Sequence, residues 1–152
     1  ARTLKTGTYG MDGVTPTLSP SMDIQISSNF ERLLFDLHGR DGKTIALMMK
    51  AFKTEKSLTL AANAQAQFRK EFDSASVNDD ETLSTIRAVY EKTGELLDPH
   101  TAVGYAASQH RRGNKATPMV VLATAHPAKF PDAVKKATGV HPALPEYLGN
   151  LL

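Results

Sequence analysis

The feature that most constrains the fold is an apolar run near the end of the sequence, residues 119–123, which read Met-Val-Val-Leu-Ala. A continuous run that includes β-branched valines is typical of a strand covered on both faces, as in a parallel sheet. One such strand cannot form a sheet by itself, because its backbone groups need neighbouring strands. The sequence therefore predicts an α/β protein whose other strands come from residues outside these 152 or from another chain.

Helical periodicity dominates residues 29–113. Apolar side chains recur at i, i+3, i+4 and i+7, the spacing of a buried stripe on an amphipathic helix. Cap residues stand at the ends of these segments: Asn78 is placed to begin a helix, and Gly39 and Gly94 are placed to end helices. Pro99 suits the first turn of a further helix over roughly residues 100–110. This part of the chain is therefore predicted to be a series of helices.

The regions before and after these helices have a different character. Residues 1–7 read as the end of a helix closed by Gly7, so we expect the sequence to begin inside a larger fold. Residues 7–29 are rich in Gly, Pro, Ser and Thr and are predicted to be extended or looped, with a short strand near Ile24 and Ile26. Residues 117–152 are predicted to form a strand, a turn and a helix. The predicted fold is thus mostly helical, with a strand or two of a twisted sheet whose other strands are missing from this chain.

Composition excludes several classes of function. The 18 basic and 16 acidic side chains leave a net charge of +2, so there is no electrostatic case for binding nucleic acid or an anionic membrane. No apolar run approaches the length that spans a bilayer. The absence of cysteine excludes disulfides and thiolate chemistry and fits a reducing cytoplasm. His100 and His126 lack the spacing of a zinc pair, so we predict no metal site.

Polar residues follow the predicted strand at the point where a ligand is expected. In open α/β sheets ligands bind at the carboxyl ends of strands, and Thr124 and His126 follow residues 119–123 directly. Pro127 begins a helical pattern, and a helix N-terminus favours anions. On spacing alone, however, a threonine that ends a strand and a histidine beside a proline are more often structural.

Two further polar clusters stand at predicted helix starts. The run Asp98-Pro99-His100-Thr101 places a carboxylate where it can cap the helix that follows. The run Ser27-Ser28-Asn29 offers hydroxyl and amide groups at another helix start. Helix capping explains both clusters on local grounds, although the second is also competent to bind an anion.

Three segments taken together resemble the threonine synthase family. They are residues 19–33 (SPSMDIQISSNFERL), 97–104 (LDPHTAVG) and 121–130 (VLATAHPAKF), and they occur in the family's order. The similarity extends over essentially the whole chain, from Thr-Gly-Thr-Tyr at residues 6–9 to Pro-Ala-Leu-Pro at residues 142–145. Motifs of this length and order are specific, so the chain is identified as a member of this family.

The resemblance implies a fold-type II enzyme that depends on pyridoxal 5′-phosphate (PLP) and whose larger domain is a twisted sheet flanked by helices. Such an enzyme converts O-phospho-L-homoserine and water to L-threonine and phosphate, with PLP as the electron sink. The family holds PLP as a Schiff base on a lysine in its N-terminal half, in a Ser-Phe-Lys-Asp type of context. No lysine here has that context; Lys129 lies in Pro-Ala-Lys-Phe. We therefore expect a C-terminal portion that completes the PLP domain, and that neither binds PLP nor turns over substrate without the remainder of its own chain.

The resemblance also assigns candidate site residues, although it places the Schiff-base lysine outside this chain and so implies no catalytic residue within it. Thr124 matches the family position whose hydroxyl forms a hydrogen bond with the pyridine nitrogen of PLP. A neutral hydroxyl does not hold that nitrogen protonated as an aspartate would. The residues expected near the cofactor are His126, Asp98, His100 and Thr101, and those that resemble the segment facing the substrate are Ser27, Ser28 and Asn29.

Two alternatives remain open at this stage. A threonine synthase-like phospho-lyase would share the PLP-contacting threonine, so this sequence does not separate it from a synthase. A non-catalytic helical interaction module would carry the three motifs as remnants. The second alternative is disfavoured because the apolar strand at residues 119–123 requires covering.

Overall fold

The chain folds almost entirely into helices, as the apolar periodicity predicts. A computed structural model describes residues 1–149, which contain seven α-helices and three short 3-10 turns. Among the helices of these residues, none combines the length and the hydrophobicity of a membrane-spanning segment. The helices are α1 (Arg2–Thr6), α2 (Ser28–Leu37), α3 (Gly42–Glu55), α4 (Ala62–Glu71), α5 (Asp79–Thr93), α6 (Pro99–Arg111) and α7 (Pro131–Thr138), and the 3-10 turns are Pro20–Met22, Pro127–Lys129 and Glu146–Leu148.

The helix ends follow the predicted caps. The Ser27 hydroxyl accepts a hydrogen bond from the Phe30 N–H at 3.3 Å and begins α2. The Asn78 side chain accepts from the Glu81 N–H at 2.9 Å and begins α5, which ends at Gly94 with φ 77°. A positive φ of this size favours glycine, which has no Cβ to clash with the preceding turn.

The two strands lie outside the segments that were predicted to be strands. β1 (Thr8–Gly10) and β2 (Ser57–Thr59) form a two-stranded antiparallel sheet in which Tyr9 lies opposite Leu58. The strand predicted near Ile24 and Ile26 is wrong: these residues are in irregular structure, with 65% and 52% of their surface exposed. Alternation over three residues is too short to specify a strand without a pairing partner.

The chain divides into two compact units. The first consists of Ala1–Thr15 and Asp23–Ser74, and the second of Pro16–Met22 together with the chain from Ala75 onward. In the first unit Leu34, Ile45 and Phe68 form the centre of a buried apolar cluster. An aromatic group is built beside this cluster, since the Tyr9 ring stacks on Phe52 with centroids 4.7 Å apart. The first unit is thus held by large apolar side chains.

The second unit packs α5, α6 and α7 through smaller side chains. Ile86 of α5, Ala102 of α6 and Ala137 of α7 are buried together. Ala102 and Ala106 form a buried small-residue face of α6, and side chains of this size allow neighbouring backbones to approach closely. The Arg87 guanidinium donates from Nε to the Ala137 carbonyl oxygen at 2.8 Å and so caps the end of α7. This packing sets the position of α6, which begins at the candidate site.

Residues 119–123 differ from their prediction, because the structure has no strand there. Val120 and Leu122 are 79% and 74% exposed, whereas Val121 is half-buried and lies beside Gly104 of α6. A strand is defined by hydrogen bonds to a neighbouring strand, and no described residue pairs with this segment. The predicted covering of both faces is therefore not present, although the segment still runs over α6.

Candidate functional site

The site is built on a carboxylate at the start of α6. Asp98 is 1% exposed, and its side chain accepts the N–H groups of His100 at 2.9 Å and Thr101 at 3.3 Å. Pro99 occupies the first helical position, where its missing N–H costs nothing. The negative charge also lies at the positive end of the helix dipole. The local sequence Asp-Pro-His-Thr therefore forms the cap that was predicted for it.

The same carboxylate accepts two side-chain hydrogen bonds. One oxygen accepts from His100 Nδ1 at 2.9 Å, and the other accepts from the Thr101 hydroxyl. Each oxygen thus has one backbone donor and one side-chain donor. A buried carboxylate is stable only when its acceptor positions are filled in this way. As a result, the orientations of both the His100 ring and the Thr101 hydroxyl are determined by Asp98.

His100 connects the cap to the 3-10 turn at Pro20–Met22. Its Nε2 lies 3.1 Å from the Ser21 backbone nitrogen, whose N–H can only donate. Nε2 must therefore offer a lone pair, and the ring proton is on Nδ1, facing Asp98. The imidazole is 5% exposed and packs against Phe130 with ring centroids 4.6 Å apart. This places a neutral imidazole between two separate parts of the chain.

Thr101 connects the cap to Thr124. The Thr101 hydroxyl donates to Asp98 and accepts from the Thr124 backbone N–H at 3.1 Å. The segment before Thr124, residues 119–123, has no strand partner among the described residues. The Thr101 hydroxyl therefore supplies the acceptor for the Thr124 N–H that a neighbouring strand would otherwise provide. The predicted neighbours Asp98, His100, Thr101 and Thr124 are therefore brought together within the second unit.

These contacts surround a cavity of about 230 Å³. Thr124 is exposed and lines this cavity, and no described residue forms a hydrogen bond with its hydroxyl. Phe130 and Met22 provide apolar walls, and Lys129 provides a cation. The lining residues are Ser21, Met22, His100, Thr124, Ala125, Lys129 and Phe130. The arrangement suits a flat ligand with an apolar face and a polar edge that meets a hydroxyl.

His126 does not line the cavity. It is exposed, and its Nδ1 accepts the Ala128 N–H at 3.2 Å, which caps the turn Pro127–Lys129. That turn carries Lys129 to the cavity. Asp98 and Thr101 also do not line the cavity but hold residues that do. Among the candidates expected near a cofactor, only His100 and Thr124 face it directly.

The serine-rich candidates belong to the first unit. Ser27 caps α2 and donates its N–H to the Tyr9 hydroxyl at 2.8 Å. Asn29 accepts from the Arg32 guanidinium at 3.0 Å, on the surface of the same helix. Ser28 and Arg32 line a separate cavity of about 470 Å³ between α2 and α3. Capping therefore accounts for Ser27, while Ser28 faces an open groove.

Sequence reasoning missed several residues of the cavity wall, namely Ser21, Met22, Ala125, Lys129 and Phe130. All five lie inside the quoted motifs 19–33 and 121–130. The motifs were therefore the available signal, but periodicity and capping rules do not tell which of their residues face a cavity. No group of three or more His, Asp or Glu side chains that could hold a metal ion occurs among the described residues.

Comparison with known proteins gives a consistent result. The family model described as threonine synthase, C-terminal, matches residues 101–152, which include Thr124 and the cavity residues that follow it. Threonine synthase from Pseudomonas aeruginosa is 54% identical over 144 residues, covering 94% of this chain and 31% of the relative.

Solved structures agree. The PLP-bound threonine synthase from Brucella melitensis superposes with a TM-score of 0.90 at 51% identity, covering 99% of this chain and 32% of the other. The yeast threonine synthase superposes with a TM-score of 0.86 at 38% identity, covering 99% and 34%. The chain spans about a third of the length of these relatives. Because sequence and structure match over nearly all of its residues, the chain belongs to the threonine synthase family, whose C-terminal portion it matches.

Proposed function

We propose that this chain is the C-terminal part of a threonine synthase that converts O-phospho-L-homoserine and water to L-threonine and phosphate. PLP, when bound, supplies the electron sink that this chemistry requires. The single observation that carries the proposal is Thr124, which lines a cavity and whose hydroxyl has no hydrogen-bond partner among the described residues, in a chain 51% identical to a PLP-bound threonine synthase.

The residues around Thr124 fit the ring of the cofactor. The cavity has an aromatic wall in Phe130 and a thioether in Met22, both suited to a flat heteroaromatic ring. The Thr124 hydroxyl can donate to an unprotonated pyridine nitrogen, and it carries no charge that would hold the nitrogen protonated. We therefore assign Thr124 to bind and orient the ring edge. Asp98 and Thr101 act on this site through other residues.

The role of the first unit in substrate binding is part of the same proposal. Ser28, Glu31 and Arg32 line one groove, so a hydroxyl and a cation are available there beside one carboxylate. A guanidinium beside a helix start is a suitable partner for the phosphate of O-phospho-L-homoserine. We assign Ser28 to this contact and assign Ser27 and Asn29 to holding the start of α2.

The experiment compares Thr124→Val with Thr124→Ser in the full-length protein. Valine has the same shape without the hydroxyl, so we expect it to shift the visible absorbance of PLP and lower kcat/KM on the order of tenfold. Serine keeps the hydroxyl and is expected to retain most activity. Product analysis is decisive for the reaction, since threonine supports the synthase and a 2-oxo acid would indicate a phospho-lyase. Unchanged absorbance and turnover in Thr124→Val would contradict the assignment of Thr124.

A second measurement concerns the chain without the rest of the enzyme. None of its lysines has the family's cofactor-binding context, so we propose that the lysine that binds PLP lies elsewhere in the full-length protein. The 152-residue polypeptide, incubated with PLP, is expected to retain no protein-bound visible absorbance after gel filtration and to form no threonine. Stoichiometric retention of PLP would refute this part of the proposal.

A further inference from the structure

We propose that Asp98, His100 and Thr101 act as positioning residues that couple two walls of the cavity through one buried carboxylate. This inference rests on the proposed function for its consequence in catalysis, but the coupling itself is a property of the protein. None of the three is assigned to contact the reacting atoms.

The first step of the argument is the range over which the carboxylate acts. Through His100 it reaches Ser21, which is 79 positions away from that histidine in the sequence. Through Thr101 it reaches Thr124, 23 positions away from that threonine. Two walls of the cavity, which come from distant parts of the sequence, are therefore both connected by hydrogen bonds to the two carboxylate oxygens of Asp98.

The second step is that both connections are directional. His100 donates from Nδ1 and accepts at Nε2, and Thr101 donates its hydroxyl proton and accepts at the same oxygen. Each link therefore requires a side chain that is a donor on one side and an acceptor on the other. An isosteric apolar group at residue 101 fills the same space but leaves the Thr124 N–H unpaired.

The third step is the consequence for the site. The segment before Thr124 has no strand partner among the described residues, so the Thr101 hydroxyl is the contact that holds its backbone nitrogen. The imidazole also contacts Phe130, which lines the same cavity. Displacing a group that orients a reactant by about 1 Å can cost on the order of a hundredfold in rate. Asp98 and Thr101, which do not line the cavity, thus hold the backbone of Thr124 in place beside it.

The principal experiment measures amide hydrogen exchange at Ser21 and Thr124 in the full-length protein, without and with PLP. We expect Thr101→Val to accelerate exchange of the Thr124 amide at least about tenfold and Thr101→Ser to preserve its protection. The matched control is Thr138→Val, because Thr138 also donates to a carbonyl, at 2.8 Å, and accepts an N–H, at 3.1 Å, away from the cavity. The control is expected to leave the Thr124 amide unchanged.

The histidine link is tested by a pair of substitutions. His100→Asn keeps a donor near the position of Nδ1 but is too short to reach Ser21, whereas His100→Gln keeps an acceptor near the position of Nε2. Faster exchange of the Ser21 amide in His100→Asn than in His100→Gln supports the link. Equal Ser21 protection in wild type and His100→Asn would overturn it, as would an unchanged Thr124 amide in Thr101→Val.

The catalytic consequence has its own readout. Thr101→Val is expected to lower kcat about tenfold with a smaller change in KM, and Thr101→Ser is expected to restore it. If the wild-type protein binds no PLP and forms no threonine, the proposed function fails. The amide exchange data then still test the hydrogen-bond network of Asp98, His100 and Thr101. Should the enzyme be active but both amides be indifferent to the substitutions, the network proposal fails and the proposed function stands.

Discussion

The interiors of the two units are stabilised by different kinds of interaction. In the first, Phe52 is 1% exposed and stacks on Tyr9, and Leu34 is completely buried nearby. In the second, the buried residues of α6 are small or polar, and Asp98 is as deeply buried as Phe52. The first unit relies on large apolar side chains, whereas the second adds a buried charge and its donors to an apolar cluster that includes Ile86.

This difference has a consequence for function. Apolar contacts depend on shape and area and impose little direction, whereas hydrogen bonds fix both distance and orientation. A side chain that must contact one particular atom of a ligand is therefore oriented better by hydrogen bonds than by apolar contacts. The candidate pocket lies in the unit with the polar network, beside α6. We expect substitutions in the two units to fail in correspondingly different ways.

The largest expected effect on stability is in the aromatic core. Phe52→Ala removes a fully buried ring that stacks on Tyr9 at 4.7 Å, and we expect it to cost about 3–5 kcal/mol in the free energy of unfolding. Phe72→Ala is the matched control, because that ring is 45% exposed and should cost about 1–2 kcal/mol. Urea unfolding of the full-length protein measures both. Equal losses would mean that burial does not distinguish the two rings.

The polar network is tested next. Asp98→Asn preserves shape but presents an amide to the donors of His100 and Thr101, and we expect a loss of about 2–3 kcal/mol. Asp36→Asn is the control, since Asp36 pairs with Arg40 at 2.8 Å on the surface and should cost about 0.5 kcal/mol or less. A small effect at Asp98 would show that the second unit does not depend on its buried charge.

The small-residue face of α6 is tested by overpacking. Ala102 is fully buried against α5 and α7, so Ala102→Leu has no space to occupy and is expected to cost about 1–3 kcal/mol. Ala88→Leu introduces the same side chain at an exposed position of α5 and is expected to be nearly neutral. Thermal unfolding of the two variants gives the comparison. If Ala102→Leu were neutral, the close packing would be looser than the burial of Ala102 indicates.

The smallest effect concerns a surface cap in the first unit. The hydrogen bond from the Thr44 hydroxyl, and to a smaller extent that from the Lys43 backbone N–H, holds the pKa of Asp41 below its ordinary value. Because the folded pKa is lowered, the stabilisation is present above the unfolded pKa, about 4, and is lost as pH falls through the folded pKa. Asp41→Asn removes this dependence. The stability difference between wild type and Asp41→Asn should therefore shrink on acidification, and a gap that stays constant would refute the assignment.

The extent of successful prediction depends on how far apart the interacting residues are. Ser27, Asn78 and Asp98 were predicted as caps because a cap contacts N–H groups two or three positions away. The pairing of β1 with β2 was not predicted, since Tyr9 and Leu58 are far apart in sequence and each strand has only three residues. Residues 119–123 carry the pattern of a strand, but pattern alone does not supply the neighbour that a ladder requires.

The candidate site divides in the same way. By itself the sequence determined the start of α6 at Asp98, the family to which the chain belongs, and Thr124 as the principal candidate. Only the tertiary structure decided that the Ser21 amide meets His100 and the Thr124 amide meets Thr101, and that His126 caps a turn outside the cavity. The physical reason is that helix starts are governed by neighbouring residues, whereas a cavity wall is assembled by packing between segments that the sequence keeps apart.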